Sequence, residues 1–220
     1  MVVGIVLLLI VIDQWSKIYV KTHFEMHESY EIFSWFKLVF IENNGMAFGM
    51  EFGAKLFLTL FRIVASGALI WYIVKCIKKG VSAGYLVVVS AILAGALGNI
   101  IDCMFYGLIF DNPAEGYAQF VSFGDGYGRF LEGRVVDMFY FPLFEFNWPD
   151  WVPFVGGDHF LFFNAIFNFA DSCITCGVFA FLIFYRSVLQ GKDKDKKTAD
   201  VQEIDKDKDN LNKDKDNVNR

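Results

Sequence analysis

The chain has 220 residues, of which 55% are hydrophobic and 18% aromatic, and several of its apolar runs approach membrane-spanning length. This composition is typical of a polytopic membrane protein, and no basic patch interleaved with aromatic residues points to nucleic acid. The formal net charge of −5 resides before residue 192, because the segment 192–220 carries nine basic and nine acidic residues. Acids that could do chemistry are therefore sought in the first part of the chain.

The first apolar segment predicts an uncleaved membrane helix over about 2–20. A cleaved signal peptide would carry basic residues before its apolar core and small residues at a cleavage site, and neither is present. Asp13 and Lys17 lie four residues apart, so they share one helix face and can form an ion pair near the helix end. Two interpretations stay open for this pair, an interfacial anchor or a group that supports a site.

The next segment, 21–53, predicts a small β element on one membrane surface. Residues 30–41 are rich in β-branched and aromatic side chains with partial alternation, which indicates strands. Asn43, Asn44 and Gly45 then supply turn chemistry that includes an Asn-Gly step.

Two further membrane helices are predicted at about 54–77 and 81–106. The turn between them, 75–80, is short and basic, which predicts that this side is cytoplasmic by the positive-inside rule. The basic residues at 192–197 indicate the same side for the C-terminal segment.

The third helix closes on a distinctive run of small and polar residues. Gly95 and Gly98 permit close approach of a neighbouring helix. Asn99 and Asp102 lie three residues apart, so they share one helix face.

The segment 107–159 is predicted to be a long outer loop, since it holds all four prolines and many glycines. Asp137 stands out there because it interrupts an apolar stretch.

The last apolar run predicts a fourth membrane helix over 160–186. Asp171 is its single acid, and a carboxylate at that depth costs at least about 2.5–3.5 kcal/mol, so a buried acid suggests function. Asn164 and Asn168 precede Asp171 at helical spacing, which predicts one polar face.

These elements predict an all-α polytopic membrane protein with four transmembrane helices. Residues 1–190 form the membrane-embedded domain, both termini are cytoplasmic, and the loops 21–53 and 107–159 lie outside. Residues 191–220 alternate Lys and Asp with almost no apolar residue, which predicts a disordered cytoplasmic tail.

The four acids in or beside apolar segments all fall toward the outer half of the membrane: Asp13, Asp102, Asp137 and Asp171. Two carboxylates held close share a proton, which provides a base to activate water and an acid to protonate a leaving amine. Three alternatives stay open. The acids can hold helices together, they can relay protons or cations in a small transporter, or they can satisfy polar contacts in a scaffold.

A metal or redox site is not expected. The three histidines, at 23, 27 and 159, are too few and too scattered for a zinc site. Cys173 and Cys176 resemble a redox pair in spacing, but they lie inside the predicted fourth helix and are interpreted as small apolar residues.

Five short segments, in chain order, resemble the bacterial lipoprotein signal peptidase (signal peptidase II) family of inner-membrane aspartic proteases. They are Asp13-Gln-Trp-Ser-Lys17, Asn43-Asn-Gly45-Met-Ala47-Phe48, Gly95-Ala-Leu-Gly98-Asn99-Ile-Ile-Asp102, Val135-Val-Asp137 and Phe167-Asn168-Phe-Ala170-Asp171. The resemblance covers about residues 1–190. The stretch Val135–Pro142 is similar to the version found in Bacteroidetes-type members.

The resemblance implies that Asp137 and Asp171 are the catalytic pair. It implies hydrolysis of the peptide bond before the diacylglyceryl-modified cysteine of a prolipoprotein, by a monomer of the inner membrane, without metal or cofactor, with its active site toward the periplasm. It also implies four helices, an outer β-cradle and a short amphipathic helix over the site, in contact with membrane lipids. The supporting or substrate-binding residues would be Asn99, Asn168, Asp13, Lys17, Asn43, Gly45, Gly98, Asp102 and Arg134.

Two departures from the family pattern are notable. Cys103 stands where members usually carry Arg, so Asp102 needs another cationic partner, for which Arg134 and Lys17 are the candidates. The loop 111–132 resembles an insertion, and 145–158 resembles a second one.

Overall fold

A computed structural model describes residues 1–43, 52–113 and 115–185, with the backbone alone for residues 52–54. Three helices are long and apolar enough to cross a membrane: α1 (Val2–His23), α2 (Phe52–Lys78) and α3 (Ala83–Ile101, continued to Ile109). At 1.5 Å per residue, the 22 residues of α1 span about 33 Å, which matches a hydrocarbon core of about 30 Å. The first three predicted membrane helices are confirmed, each within a few residues of its expected bounds.

The apolar side chains of these helices face outward. Leu7, Leu8 and Val11 of α1 are exposed, and so are Phe57 and Val64 of α2. Acyl chains can cover such side chains as favourably as a protein core can. Helix α3 is the most buried of the three and is therefore the central helix.

Helix α3 ends irregularly. A π-helical turn, Asp102–Tyr106, follows Ile101, and Gly107–Ile109 adds a last α-helical turn. The carbonyl oxygen of Cys103 accepts a hydrogen bond of 2.9 Å from the backbone N–H of Gly133. A side chain at Gly133 would overlap the carbonyl oxygen of Asp102, so only glycine allows the chain to pack against this turn.

Six short strands complete the described fold. In chain order they are β1 (Ser29–Phe33), β2 (Phe36–Asn43), β3 (Val135–Tyr140), β4 (Phe144–Asn147), β5 (His159–Phe162) and β6 (Ile166–Phe167). One antiparallel sheet has the order β1-β2-β3-β6, and β4 pairs with β5 in a separate sheet.

The strands predicted over 30–41 are confirmed as the β1–β2 hairpin. Strands β3 to β6 are additions, because they lie in segments that were assigned to a loop and to a helix. The predicted all-α class with a small β-cradle therefore understates the sheet. The predicted Asn-Gly turn at 44–45 lies outside the described residues, and the described ranges contain no separate short surface helix.

The predicted fourth helix over 160–186 is wrong in its first third, because β5 and β6 occupy that part. Helix α4 spans Phe169–Phe184. Asn168 begins it as a capping residue: its Oδ1 accepts from the backbone N–H of Asp171 at 2.9 Å, and Asp171 Oδ2 accepts from the Asn168 N–H at 3.4 Å. This reciprocal pair is a capping box, which fixes the start of a helix.

The predicted polar face of that helix is wrong in one residue. Asn164 precedes α4, and its Oδ1 accepts a hydrogen bond of 3.3 Å from the Tyr140 hydroxyl. The remaining two residues, Asn168 and Asp171, lie at the start of α4 rather than along its length.

The chain divides into two compact units. The first, Met1–Val178, contains both sheets, helices α1 to α3 and the beginning of α4. The second, Phe179–Arg220, is described as far as Tyr185, and the predicted disordered tail 191–220 lies outside the described residues.

A cluster of buried residues fastens the predicted outer loop to the sheet. Phe110 and Ala118 of the loop are buried together with Phe40 of β2 and Met138 of β3. The backbone adds a hydrogen bond of 2.8 Å from the Gly128 N–H to the Gly107 carbonyl oxygen. Strand β3 therefore packs against both the loop and strand β2 through this cluster.

Candidate active site

Asp137 lies in the middle of β3 and is only 4% exposed. Pairing with β2 sets it opposite Ile41. Its Oδ1 accepts a hydrogen bond of 2.7 Å from Asn168 Nδ2, and its Oδ2 accepts one of 3.2 Å from Asn43 Nδ2. Two amide donors thus orient this carboxyl group.

Asp171 lies in the first turn of α4, where the partial positive charge of the helix N-terminus stabilises a carboxylate. Its Oδ1 accepts a hydrogen bond of 2.8 Å from Asn99 Nδ2 of α3, in addition to the capping contact with Asn168. A single acid in an apolar helix is far less costly at this position than in the middle of a membrane span.

Asn168 connects the two acids. Its side-chain amide donates to Asp137 and, at 3.2 Å, to Asn99 Oδ1, while its Oδ1 caps the helix that carries Asp171. Asn168 and Asn99 are both buried, so the network is shielded from solvent. The structure therefore brings together four of the predicted site residues from three different elements.

Burial, and to a lesser extent the negative charge of Asp171, raise the pKa of Asp137 from 3.8 to about 6. Hydrogen bonds from Asn43 and Asn168 act the opposite way by stabilising the charged form. An acid with this pKa is far more often protonated near neutral pH than an ordinary aspartic acid is, which suits a general acid.

A buried ionic cluster supports this network from α1. Lys17 Nζ lies 2.9 Å from Asp13 Oδ2 and 2.7 Å from Asp102 Oδ2, and it donates to Asn99 Oδ1 at 2.8 Å. Asp13 Oδ1 accepts a hydrogen bond of 2.9 Å from the backbone N–H of Ala170. Because Asp13 and Lys17 are both buried, the pair is not an exposed interfacial anchor.

Gly98 makes this arrangement possible. A Cβ there would lie 2.5 Å from Asp13 Oδ2 and 3.3 Å from the Ala170 Cβ. A Cβ at Gly95 would overlap the Ala170 carbonyl oxygen. The two glycines thus let α1 and α4 approach α3, as predicted. Gly45, another predicted site residue, lies outside the described residues.

An apolar cavity of about 730 Å³ opens beside Asp171. Its wall is mainly aromatic, and Asp171 and Ser172 are among its few polar residues. The aromatic lining consists of Phe36, Phe139, Phe141, Phe163, Phe167 and Phe169. A cavity of this size and lining suits a ligand that is mostly apolar and carries one polar group at the end near Asp171.

Within 1–43, 52–113 and 115–185, no group of three His, Cys, Asp or Glu residues is placed to hold a metal ion. Cys173 and Cys176 remain free thiols.

Residues 5–187 match the family model described as Signal peptidase (SPase) II. The chain belongs to the signal peptidase II family. This is a family of aspartic peptidases of the membrane, so the protein is a membrane-embedded hydrolase.

Similar proteins in the signal peptidase II family agree with this placement. The lipoprotein signal peptidase of Porphyromonas gingivalis is 49% identical over 185 residues, which is 84% of this chain and 82% of that protein. The lipoprotein signal peptidase of Amoebophilus asiaticus is 37% identical over 194 residues, which is 85% of this chain and 78% of that protein. The expected Bacteroidetes-type similarity is thereby confirmed, and the transporter alternative finds no support.

Two solved structures described as bacterial membrane enzymes share the fold. One is 27% identical with a TM-score of 0.56 and covers 83% of this chain and 90% of its own. The other is 25% identical with a TM-score of 0.57 and covers 88% of this chain and 90% of its own.

The structure distinguishes the two cations that were candidates for Asp102. Arg134 does not pair with Asp102: its guanidinium donates to Glu42 Oε2 at 2.9 Å and to Asn112 Oδ1 at 3.0 Å. The Glu42 side chain is buried on β2, and its ion pair with Arg134 places the guanidinium beside β2. Lys17, the other candidate, is the cation that pairs with Asp102.

One residue of the cluster was missed by sequence reasoning. Gln14 donates a hydrogen bond of 2.8 Å to Asp102 Oδ1 and one of 3.2 Å to the Gly98 carbonyl oxygen. Its Oε1 accepts from the Tyr106 hydroxyl at 3.2 Å. A polar amide next to Asp13 in an otherwise apolar helix was the available indication.

Proposed function

We propose that Asp137 and Asp171 hydrolyse the peptide bond before the diacylglyceryl-modified cysteine of prolipoproteins, which removes the signal peptide. The observation that carries this proposal is the joining of the two acids through Asn168 at the edge of an apolar cavity. The similarity to lipoprotein signal peptidases supports the substrate class.

In this mechanism Asp171 is the general base and Asp137 is the general acid. The helix N-terminus and Asn99 stabilise a negative charge on Asp171, so Asp171 takes a proton from the attacking water. Asp137, with its raised pKa, holds the shared proton and delivers it to the leaving amine. Attack of the water oxygen and departure of the amine then leave a free carboxyl group and a free N-terminus.

The other predicted site residues position this pair. Asn168 and Asn43 orient Asp137, and Asn99 orients Asp171. The ionic cluster around Lys17 fixes the start of α4 through Asp13. The family resemblance also implies a supporting role for Gly45, which lies outside the described residues.

The apolar cavity receives a hydrophobic part of the substrate. Aromatic rings from β2, β3 and the entry to α4 surround it, while Asp171 lies in its wall. An acyl chain or an apolar signal-peptide side chain can stay among these rings as the peptide bond meets the acids.

The proposed topology has four membrane spans with both termini in the cytoplasm. Helix α4 extends about 24 Å over its 16 residues, and this length is about four-fifths of the thickness of a bilayer core of about 30 Å. The basic residues at 75–80 indicate the cytoplasmic side and set the acid pair toward the periplasm of the inner membrane. Residues 1–190 form the peptidase domain of a monomer, and 191–220 form its charged tail.

The test is cleavage of a lipid-modified prolipoprotein by the purified full chain. Asp137→Asn and Asp171→Asn should each abolish turnover, whereas Asp125→Asn, at an exposed loop acid, should leave it unchanged. The same precursor without its diacylglyceryl group should be cut poorly. Near-normal turnover by either folded site variant would refute the catalytic pair, and equal cleavage of the unmodified precursor would refute lipid recognition.

A further inference from the structure

Between the strand that carries Asp137 and the helix that carries Asp171, the chain forms a hairpin for which the peptidase reaction has no evident use. This aromatic hairpin comprises β4, the tip 148–158 and β5. Its two strands pair with each other and form no ladder with the four-stranded sheet in the described ranges. An isolated two-stranded hairpin is marginally stable in water, so a partner for its apolar side is expected.

The hairpin is amphipathic. On one face Phe144 stacks on Phe162 with ring centroids 4.6 Å apart, and Phe146 lies against Phe160 at 5.1 Å. On the other face the Glu145 carboxylate contacts the His159 imidazole, and His159 Nδ1 is also hydrogen-bonded to Asn147 Oδ1 at 3.0 Å. The aromatic face stays partly exposed: Phe144 is 53% exposed and Phe162 is 41% exposed.

Backbone hydrogen bonds order the tip of the hairpin. The Trp148 N–H donates to the Asp158 carbonyl oxygen and the Gly157 N–H to the Trp148 carbonyl oxygen, both at 2.9 Å. A Cβ at Gly156 would lie 2.5 Å from the Asp150 carbonyl oxygen, so the tip closes tightly on itself. This closure turns Trp151 and Phe154 outward, with exposures of 82% and 104%.

Phe154 is held in an unfavourable backbone conformation. Its φ of 71° lies in the left-handed region, where a bulky residue is a strained outlier and glycine is not. The strain costs on the order of 1 kcal/mol or more. Packing within the described residues does not account for a phenylalanine at this position, since Phe154 is fully exposed.

The bilayer lies within reach of this hairpin. Asn168 is hydrogen-bonded to Asn99 of the membrane span α3, and Phe162, at the end of β5, lies six positions before Asn168. Six extended residues cover at most about 20 Å, roughly half of a bilayer of 40–45 Å with its headgroups. The root of the hairpin therefore lies within about 20 Å of a residue that is bonded to a membrane span.

The chemistry of the hairpin also fits the membrane interface. Trp and other aromatic side chains concentrate there, because the ring is apolar and the indole N–H can remain hydrated. Residues 135–185 contain no Lys or Arg, so attraction to anionic lipid cannot draw the tip to the surface. The driving force is removal of apolar area from water.

We propose that the aromatic hairpin inserts Trp151 and Phe154 into the interfacial layer of the same bilayer that holds the helices. The insertion anchors the segment between the two acids at the lipid surface. It requires only that the chain is embedded in a bilayer, so it stands or fails independently of peptidase activity.

Tryptophan quenching in liposomes tests the proposal. The full chain is reconstituted in phosphatidylcholine with or without a brominated lipid, and the Trp151 signal is obtained as wild type minus Trp151→Phe. Wild type minus Trp71→Phe gives the reference for an exposed ring on the membrane span α2. We expect brominated lipid to quench Trp151 at least half as strongly as Trp71, with little quenching by aqueous iodide. Anionic lipid should change neither result.

A Trp151 signal that iodide quenches freely and brominated lipid does not would overturn the proposal, and would leave a protein as the partner of the tip. Phe154→Asp should raise iodide quenching of Trp151 several-fold in liposomes. Phe123→Asp is the matched control, because Phe123 is also exposed (73%) but lies in the loop 111–132. No change with Phe154→Asp, or an equal change with both variants, contradicts insertion. If Phe154→Asp fails to fold, the comparison with the conservative Trp151→Phe still decides.

Discussion

Asp137 should destabilise the folded protein at neutral pH, because its carboxyl is buried. Its pKa is 3.8 when unperturbed and about 6 in the fold, so the folded state binds this proton more tightly than the unfolded state does. Stability from this group is fully present below pH 4 and is lost as the pH rises through about 6. Two pKa units correspond to about 3 kcal/mol.

Asp137→Asn removes the charge and keeps the shape. The amide oxygen can still accept from Asn168 Nδ2, but the amide nitrogen would face Asn43 Nδ2, and losing that hydrogen bond costs about 1 kcal/mol. The variant should therefore be about 1–2 kcal/mol more stable than wild type at pH 8. Below pH 4 the wild-type acid is also neutral, and the variant should be about 1 kcal/mol less stable.

The assay is thermal unfolding of the detergent-solubilised full chain between pH 4 and pH 8. The difference in Tm between Asp137→Asn and wild type should change sign across this range, while Asp125→Asn should follow wild type throughout. A difference that does not vary with pH, or a variant less stable than wild type at pH 8, would refute the reasoning about burial.

Three other substitutions test the packing and the network around the acids. Gly98→Ala should cost about 1–3 kcal/mol of stability and abolish cleavage, because its Cβ collides with a carboxylate of α1; Gly67→Ala, with open space around it, should be neutral or slightly stabilising in the same unfolding assay. Lys17→Met should lower stability by about 3–5 kcal/mol, measured as loss of Tm and of folded yield, because it leaves two buried acids without a cation; an unchanged Tm would contradict the ion pairs. Asn168→Ser should keep the helix cap but lower kcat roughly tenfold or more with a small change in KM, because serine cannot reach Asp137; an unaltered kcat would argue against that contact.

The sequence predicted the membrane helices well because each was a long apolar run with a recognisable end. It could not separate 160–167 from the helix that follows, since apolar residues continue through the junction and do not reveal that β5 pairs with β4 and β6 with β3. The boundary was nevertheless encoded locally: Asn168 and Asp171 are three residues apart, the spacing of a capping box.

The partner of Asp102 illustrates a different limit. Lys17 and Arg134 were both available cations, and the sequence could not rank them. The choice depends on Glu42, whose buried carboxylate lies on β2. One of its oxygens pairs with Arg134 and the other with Lys21. Competition among buried charges is decided by tertiary placement, so residue spacing alone does not resolve it.

The corrected start of α4 changes the physical account of Asp171. In the middle of a membrane helix, a carboxylate has no free backbone donor and is costly to ionise. At a helix N-terminus, unpaired N–H groups and the helix dipole favour the charge, and Asn99 adds a further donor. Asp171 thus lies among hydrogen-bond donors, while burial raises the pKa of Asp137, which lies on a strand without a helix terminus. In the mechanism we propose, the different secondary structures under the two carboxyl groups make a base of one and an acid of the other.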